Sequence, residues 1–327
     1  MDNLTHTAIG FFLSRAGLNR WTPAANPILL LAANIPDIDI VTAAGGSLNY
    51  IHYHRHLTHS LIAMPIMAAA CVLLVRLFWR KEFHWGAGFA AAMIGVASHL
   101  LMDWTNMYGI RLLLPFSESW QRLDINSVVD LWIWAAFLLG IAGPFVARLV
   151  SGEITSGALR SRYPGRGGAI FALTFLLLYD CGRGVLHTRA MATVESRIYR
   201  GVAPLRAAAF PDAVNPLHWR GLVETADFYA VPEINLAGEF EPARAEVIPK
   251  PDPDPAIDAA SRTATFHQFL QFVQYPLWRV LVVPDQEGAK EVRLMDLRFG
   301  NFIARAVVDA RGKVSNESFT LGFSPPK

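Results

Sequence analysis

Ionisable side chains stand inside and beside apolar runs long enough to cross a bilayer, and few folds accommodate that combination. The hydrocarbon core is about 30 Å thick, so a spanning helix needs about 20 mostly apolar residues. Residues 61–79, 86–102, 128–147 and 168–186 are of that kind. Two shorter runs, 7–18 and 23–35, come first and suit a helical hairpin that crosses where the bilayer thins. Charged residues make up 17% of the 327-residue chain, against about 25% in soluble domains. The deficit lies in residues 1–186.

Beyond residue 187 the texture is that of a soluble domain. Short β-like runs at 278–283, 291–297 and 302–308 read as strands. Asp309-Ala-Arg-Gly-Lys313 has turn chemistry, and Pro alternates with Lys or Asp over 249–255 as in a stiff linker. The fold expected is a mainly α-helical integral membrane bundle over residues 1–186, with about four full spans after the N-terminal hairpin. A smaller β-rich soluble domain over 187–327 follows it. A net charge of +2 is too weak for nucleic-acid binding. Cys71 and Cys181 both lie in apolar runs, which argues against a disulfide framework. The first residues lack the basic stretch of a cleaved signal peptide.

Seven of the 10 histidines fall within the first 103 residues. They stand in short groups with aspartates: Thr5-His6, Pro36-Asp37-Ile38-Asp39, His54-Arg55-His56-Leu57-Thr58-His59-Ser60 and His99-Leu100-Leu101-Met102-Asp103. Ionisable groups at membrane depth are costly, so each marks a functional position. Following the chain through the runs brings them together. The hairpin leaves from His6, turns at Arg15 and Arg20, and returns to Asp37 and Asp39. A loop on that same side carries His52, His54, His56 and His59. The next two spans turn at Arg76, Arg80 and Lys81 and bring back His99 and Asp103. His84 falls on the far side with the basic residues.

Imidazole with carboxylate suits a divalent transition metal. His99 and Asp103 are four apart and share a helix face. Asp37 and Asp39 are two apart, which suits an extended or turn segment after Pro36 in which alternate residues point the same way. The ligands expected are His6, Asp37, Asp39, His54, His59, His99 and Asp103. Seven exceed the three or four that one zinc takes from protein, so one or two ions fit, with some of the seven in supporting roles. Asp39, His59 and Arg55 are expected to act on the substrate, Arg55 by bidentate hold on a phosphate or carboxylate or by neutralising the carboxylates. Thr58 and Ser60 either orient imidazoles or cap the next helix. Asp124, Asn126 and Asp130 read as caps, and Asp180 as a partner of Arg183. His187, His218 and His267 have no metal-like company.

As a set, the motifs resemble those of the YdjM-like family of bacterial membrane-bound, metal-dependent hydrolases, over roughly residues 1–150. Pro115-Phe116 after Gly109 fits the same pattern. The resemblance implies a multi-pass protein of the bacterial inner membrane, with a bound divalent metal, most simply zinc, and hydrolytic activity. His54 and His59 are the histidines of its central motif. The His-x-x-x-Asp element is also similar to that of zinc phospholipase C and related nucleases. A site at headgroup level suggests an ester or phosphoester of a small, lipid-linked or amphiphilic substrate, with the bilayer as the standing partner. The rival readings are a metal or proton transporter, and a non-catalytic protein stabilised by its metal. Basic residues collect on the side away from the site: Arg15, Arg20, Arg76, Arg80, Lys81, Arg148, Arg160, Arg162 and Arg166, against Arg55, Arg111 and Arg122. By the positive-inside rule the site and the C-terminal domain then face outward, to the periplasmic side. Arg183, Arg189, Arg197 and Arg200, after the last span, pull the other way.

Overall fold

The Asp2 carboxylate opens the first helix by accepting from the Thr5 N–H at 3.0 Å and the Thr5 hydroxyl at 2.6 Å, which satisfies a donor that the helix itself leaves free. In this computed structural model residues 1–154, 165–284 and 286–321 are described, and the side chains of 147–154 are not. Helix α1 (Asn3–Ala16) turns back through a 3₁₀ turn into α2 (Ala25–Ala32), which forms the expected hairpin. A 3₁₀ segment (Ile35–Gly45), α3 (Ser47–Tyr53) and a 3₁₀ turn (Leu57–His59) lead to α4 (Ala63–Phe78) and α5 (Trp85–Thr105). Then come α6 (Leu131–Ile154) and α7 (Arg166–Glu195).

Small residues set the depth of the bundle. A Cβ on Gly10 would stand 2.7 Å from the Leu29 carbonyl oxygen, and one on Gly95 2.7 Å from the Ala32 Cβ. Helix α2 is therefore wedged between α1 and α5 at backbone contact, as small-residue stripes allow in membrane bundles. Around it Ala25, Ile28, Leu29, Cys71, Val72, Ala92 and Val96 form one core; Phe12, Ile133, Phe137 and Ala172 form another, between α1, α6 and α7.

Helices α5 and α7 are long and apolar enough to cross a membrane. Two bent pairs pass the same test jointly: α2 with the following 3₁₀ segment (44°), and Ser47–His59 with α4 (86°). Among the described residues the bundle thus has two candidate spans, or up to four. Run 61–79 shortens because Leu61 and Ile62 are spent in a turn, which leaves α4 with 16 residues. The described apolar stretch of α6, Leu131–Val146, is also short. Arg160 and Arg162 lie outside the described residues, as does the side chain of Arg148.

Helix α7 does not stop at the end of its apolar run. Residues 187–195 keep good helix formers such as Ala190, Met191 and Glu195, and Ala190 and Val194 pack on Trp219 and Val223 of the first sheet. The helix therefore passes through the expected boundary at 186/187. That sheet holds β1 (Arg206–Pro211), β2 (His218–Glu224), β3 (Phe228–Val231) and β5 (Glu246–Pro249) in order, with β4 (Glu233–Asn235) also on β2. Two short helices, α8 (Pro255–Ser261) and α9 (Ala264–Leu270), precede an antiparallel meander of β6 (Pro276–Val282), β7 (Lys290–Asp296), β8 (Phe302–Val308) and β9 (Val314–Leu321). Strands β6, β7 and β8 are the three expected runs, and Asp309 closes the β8–β9 turn by accepting from the Arg311 and Lys313 N–H groups at 2.8 and 2.9 Å.

The β-rich part shares a core with the helical part. Ile51 of α3 and Tyr108 of the loop after α5 pack with Phe266, Phe269, Phe272 and Leu294. Arg298 ties the two together: it pairs with buried Asp296 at 2.7 Å and donates to the Met107, Tyr108 and Phe272 carbonyls at 3.1–3.2 Å. Arg111 and Trp120 both donate to the Gln271 carbonyl, at 2.7 and 3.0 Å.

The polar residues before and after α6 are structural. Asp130 caps that helix through the Trp132 and Ile133 N–H groups. Asp180 accepts from Asn126 at 2.7 Å, while Arg183 donates to the Ile125 and Pro216 carbonyls and lies over Trp219. The expected Asp180–Arg183 ion pair is replaced by these bonds. Burial pushes the Asp124 carboxyl up to about 6, against the opposing pull of Arg122. A raised carboxyl favours the folded state while it is protonated, and that contribution is lost as pH rises through about 6. Between pH 4 and 7 the native chain should therefore lose on the order of 2–3 kcal/mol relative to Asp124→Asn. Denaturant midpoints of both proteins across that range check it; parallel pH profiles would refute it.

Candidate metal centre

Each donor reaches the centre by a different route. His6 sits in the first turn of α1, and His99 and Asp103 in the last two turns of α5. Pro36 starts the 3₁₀ segment, where its fixed φ suits the first turn. Of the extended or turn segment expected for Asp37 and Asp39, the turn is what forms. At three residues per turn, positions two apart lie about 240° around the axis, so the two carboxylates meet opposite nitrogens of His59, Asp37 at Nε2 (3.5 Å) and Asp39 at Nδ1 (3.4 Å), while both remain in one donor group with His54. His54 follows α3, and Arg55 adopts a left-handed φ of 57°. That conformation costs on the order of 1 kcal/mol and turns the Arg55 N–H onto Asp39 Oδ2 at 2.9 Å.

Two donor groups result. The inner one comprises Asp37, His59, His99 and Asp103; the outer one comprises Asp37, Asp39 and His54. Asp37 belongs to both. In the inner group His59 Nε2 lies 3.2 Å from His99 Nε2, 3.5 Å from Asp37 Oδ1 and 3.2 Å from Asp103 Oδ2. His99 Nε2 lies 3.6 Å from Asp37 and 3.4 Å from Asp103. A tetrahedral ion with bonds of 2.0–2.1 Å requires ligand–ligand edges of roughly 3.3–3.4 Å. The donors already stand at that spacing.

Hydrogen bonding explains which nitrogens face inward. His99 Nδ1 is 2.7 Å from the Ala33 carbonyl, which can only accept, so the proton sits on Nδ1 and Nε2 offers a lone pair. His59 Nδ1 lies 3.0 Å from the Thr58 hydroxyl, which itself donates to Asp39 Oδ2 at 3.1 Å. Its Nε2 therefore also offers a lone pair. Two lone pairs facing each other at 3.2 Å, beside two carboxylates and with Asp103 Oδ2 buried and without a hydrogen bond, form a set that a cation satisfies. Zinc suits this nitrogen–oxygen set. Thr58 orients both His59 and Asp39, and Ser60 caps the turn into α4 by accepting from the Ala63 N–H at 3.3 Å. Thr58→Val should cost roughly 10–100-fold in metal affinity, read by competition with a chromophoric chelator; an unchanged affinity would deny Thr58 that role.

The other expected residues take supporting positions. His6 stacks on His99 with ring centroids 3.8 Å apart and places Nε2 3.3 Å from Asp103 Oδ1, outside both donor groups. Arg55 is 3% exposed and spends its guanidinium inward, on Asp103 at 2.8 Å, Asn106 at 3.0 Å and the Gly109 carbonyl at 3.3 Å, with its plane over Tyr108. It neutralises the buried carboxylate. The Met1 amino group also contacts Asp103. His52 and His56 stay at the rim, and His84 bonds to the Trp21 carbonyl at the opposite end of the bundle. There Arg166 also reaches the Ala16 carbonyl.

A cavity of about 410 Å³ opens on the outer group, lined by Asp37, His54, Ile40, Ile51, Tyr108, Asn301, Phe302 and Leu321 among others. The last three belong to the C-terminal meander. They gave no signal in the sequence, because nothing local links an Asn-Phe pair in a strand to a histidine motif some 250 residues earlier.

A helical bundle with membrane-length helices and a buried His/Asp centre at one end defines a class of membrane protein with a candidate metal site. The chain belongs to the YdjM inner membrane protein family, whose model matches residues 1–190. It is 23% identical to the "Uncharacterized protein YfhP" of Bacillus subtilis (strain 168) over 314 residues, which covers 91% of this chain and 87% of that protein. No solved structure matches it.

Proposed function

We propose that this protein is a multi-pass, metal-dependent hydrolase of the inner membrane that cleaves an ester or phosphoester of a lipid-linked or amphiphilic substrate. One observation carries the reading. A closed four-donor group lies behind a three-donor group that faces a cavity, and the two share Asp37. Structural zinc sites are closed, whereas catalytic ones keep a position open. His59, His99, Asp103 and Asp37 would hold an inner ion, and Asp37, Asp39 and His54 an outer one. Bound divalent metal supplies Lewis acidity and water activation at neutral pH. Asp39 positions its neighbours by accepting from the Arg55 N–H and Thr58, with His54 Nδ1 at 3.0 Å. Arg55 offsets the charge of Asp103. Tyr108 and Ile51 exclude water from one flank of the cavity.

A transporter needs donors along a path between the two sides. Here the donors cluster at one end of the bundle, and basic turns occupy the other. The positive-inside rule, applied to the basic residues of the sequence, supports a periplasmic centre.

Elemental analysis of the purified full-length protein should find two zinc-class ions per chain. A panel of phosphodiester, phospholipid and carboxylester substrates should reveal turnover that a chelator abolishes and zinc restores. His54→Ala should leave one ion and no turnover. Metal without turnover on any substrate would overturn the hydrolase reading in favour of a structural centre, and metal-free protein with activity would overturn the metal's role.

A further inference from the structure

The cavity combines two kinds of lining. Asp37 and His54 of the outer group, with Asp2, Asn3 and Arg55, make it polar in part; Ile40, Ile51, Val128, Phe302 and Leu321 are its apolar side chains. Its volume of about 410 Å³ lies in the range of small-molecule sites, roughly 300–1,000 Å³. Two of the apolar residues come from β8 and β9, more than 240 positions from the histidine motif. The meander is fixed there by the Arg298 bonds to the Met107 and Tyr108 carbonyls and by the core it shares with α3. Ile40 lines the cavity, and Ile38, Ile40 and Val41 are 51%, 59% and 66% exposed, an apolar rim that no described residue covers. Contiguous exposed apolar surface next to a cavity marks contact with a lipid phase or an apolar ligand. Asn301 adds one polar atom to the wall: its side-chain oxygen is buried and has no hydrogen-bond partner.

We infer that the C-terminal meander is the substrate-selecting wall of the centre. Phe302 and Leu321, together with Ile40 and Ile51, hold the hydrocarbon chain of a single-chain amphiphile whose anionic head, a phosphate or a carboxylate, lies at the Asp37 and His54 donors. The identity of the head's site rests on the metal-centre reading above; the chain's site rests on the wall alone. Asn301 accepts from a hydroxyl or amide next to the head.

The test is binding. Methyl, butyl, hexyl and octyl phosphate are titrated by calorimetry into zinc-loaded full-length protein in nanodiscs, with empty nanodiscs subtracted. Burying each added methylene should tighten binding on the order of threefold to fourfold until the cavity is full. Ile40→Glu, at a largely exposed position, should flatten that series while metal content and melting temperature stay unchanged. Phe302→Ala should shorten the range over which affinity rises. Octyl carboxylate run in parallel tells a phosphate-specific head site from a general anion site. Equal binding of methyl and octyl phosphate, or a chain-length series untouched by Ile40→Glu, would overturn the proposal. A normal series in a protein that hydrolyses nothing would sink the hydrolase reading and leave the wall standing; hydrolysis with no dependence on chain length would do the reverse.

Discussion

His99→Ala should release the inner ion and take the fold of that end of the bundle partly with it. The ring is fully buried, and its orientation is set from behind by the Ala33 carbonyl at 2.7 Å, so it offers Nε2 with little ordering cost. Alanine removes a donor from a closed set of four and leaves Asp103 Oδ2 and His59 Nε2 without their neighbour. It also removes the ring on which His6 stacks. Loss of a mere supporting partner costs roughly 10–100-fold in affinity, so loss of a donor should exceed 100-fold. Dialysed protein analysed by mass spectrometry should then carry at most the outer ion. His99→Cys, which keeps a zinc-competent donor, should recover part of the metal. Full stoichiometry in the alanine variant would remove His99 from the donor set.

The second large effect lies far from the donors. Arg298→Met should destabilise the protein by about 3–5 kcal/mol, the cost of leaving a buried charge without its partner. Asp296 is 0% exposed, and the guanidinium also serves three backbone carbonyls, two of them in the loop that carries Tyr108. Replacing both members, Asp296→Leu with Arg298→Met, should recover much of that loss, because an apolar pair needs no compensation. Urea denaturation of the two variants separates the outcomes. A single variant within about 0.5 kcal/mol of the native chain, the ordinary range for surface positions, would show that the pair does not hold the meander to the loop.

Much of the architecture is legible in the residues. Apolar length marks the hairpin and the long helices α5 and α7, and short β-like runs mark β6, β7 and β8. The meeting of His59, His99, Asp103 and Asp37 follows from counting crossings, since each motif ends a run on the same side. Less legible is what backbone geometry decides. The divergence of Asp37 and Asp39 depends on a 3₁₀ turn where an extended segment reads equally well after Pro36. The inward turn of Arg55 depends on a positive φ that no local residue announces. The number of spans depends on two bends, and the cavity wall on residues whose pairing with α3 is purely tertiary. His6 was legible as a member of the cluster, but its stacking on His99, outside the donor groups, was not.

Helix α7 runs unbroken from the bundle into the first sheet, and so makes the orientation of the C-terminal part a matter of helical phase. Each residue contributes about 100° of rotation and 1.5 Å of rise. Residues 187–195 work as a shaft whose length sets the angle at which both sheets meet the loop at Tyr108. One inserted residue there would turn the meander away from the cavity by more than a quarter of a revolution, without touching a donor or an apolar run. Length in this stretch is thus as constrained as composition is in the spans. The position of the meander at the cavity is geared to a segment that lines none of it.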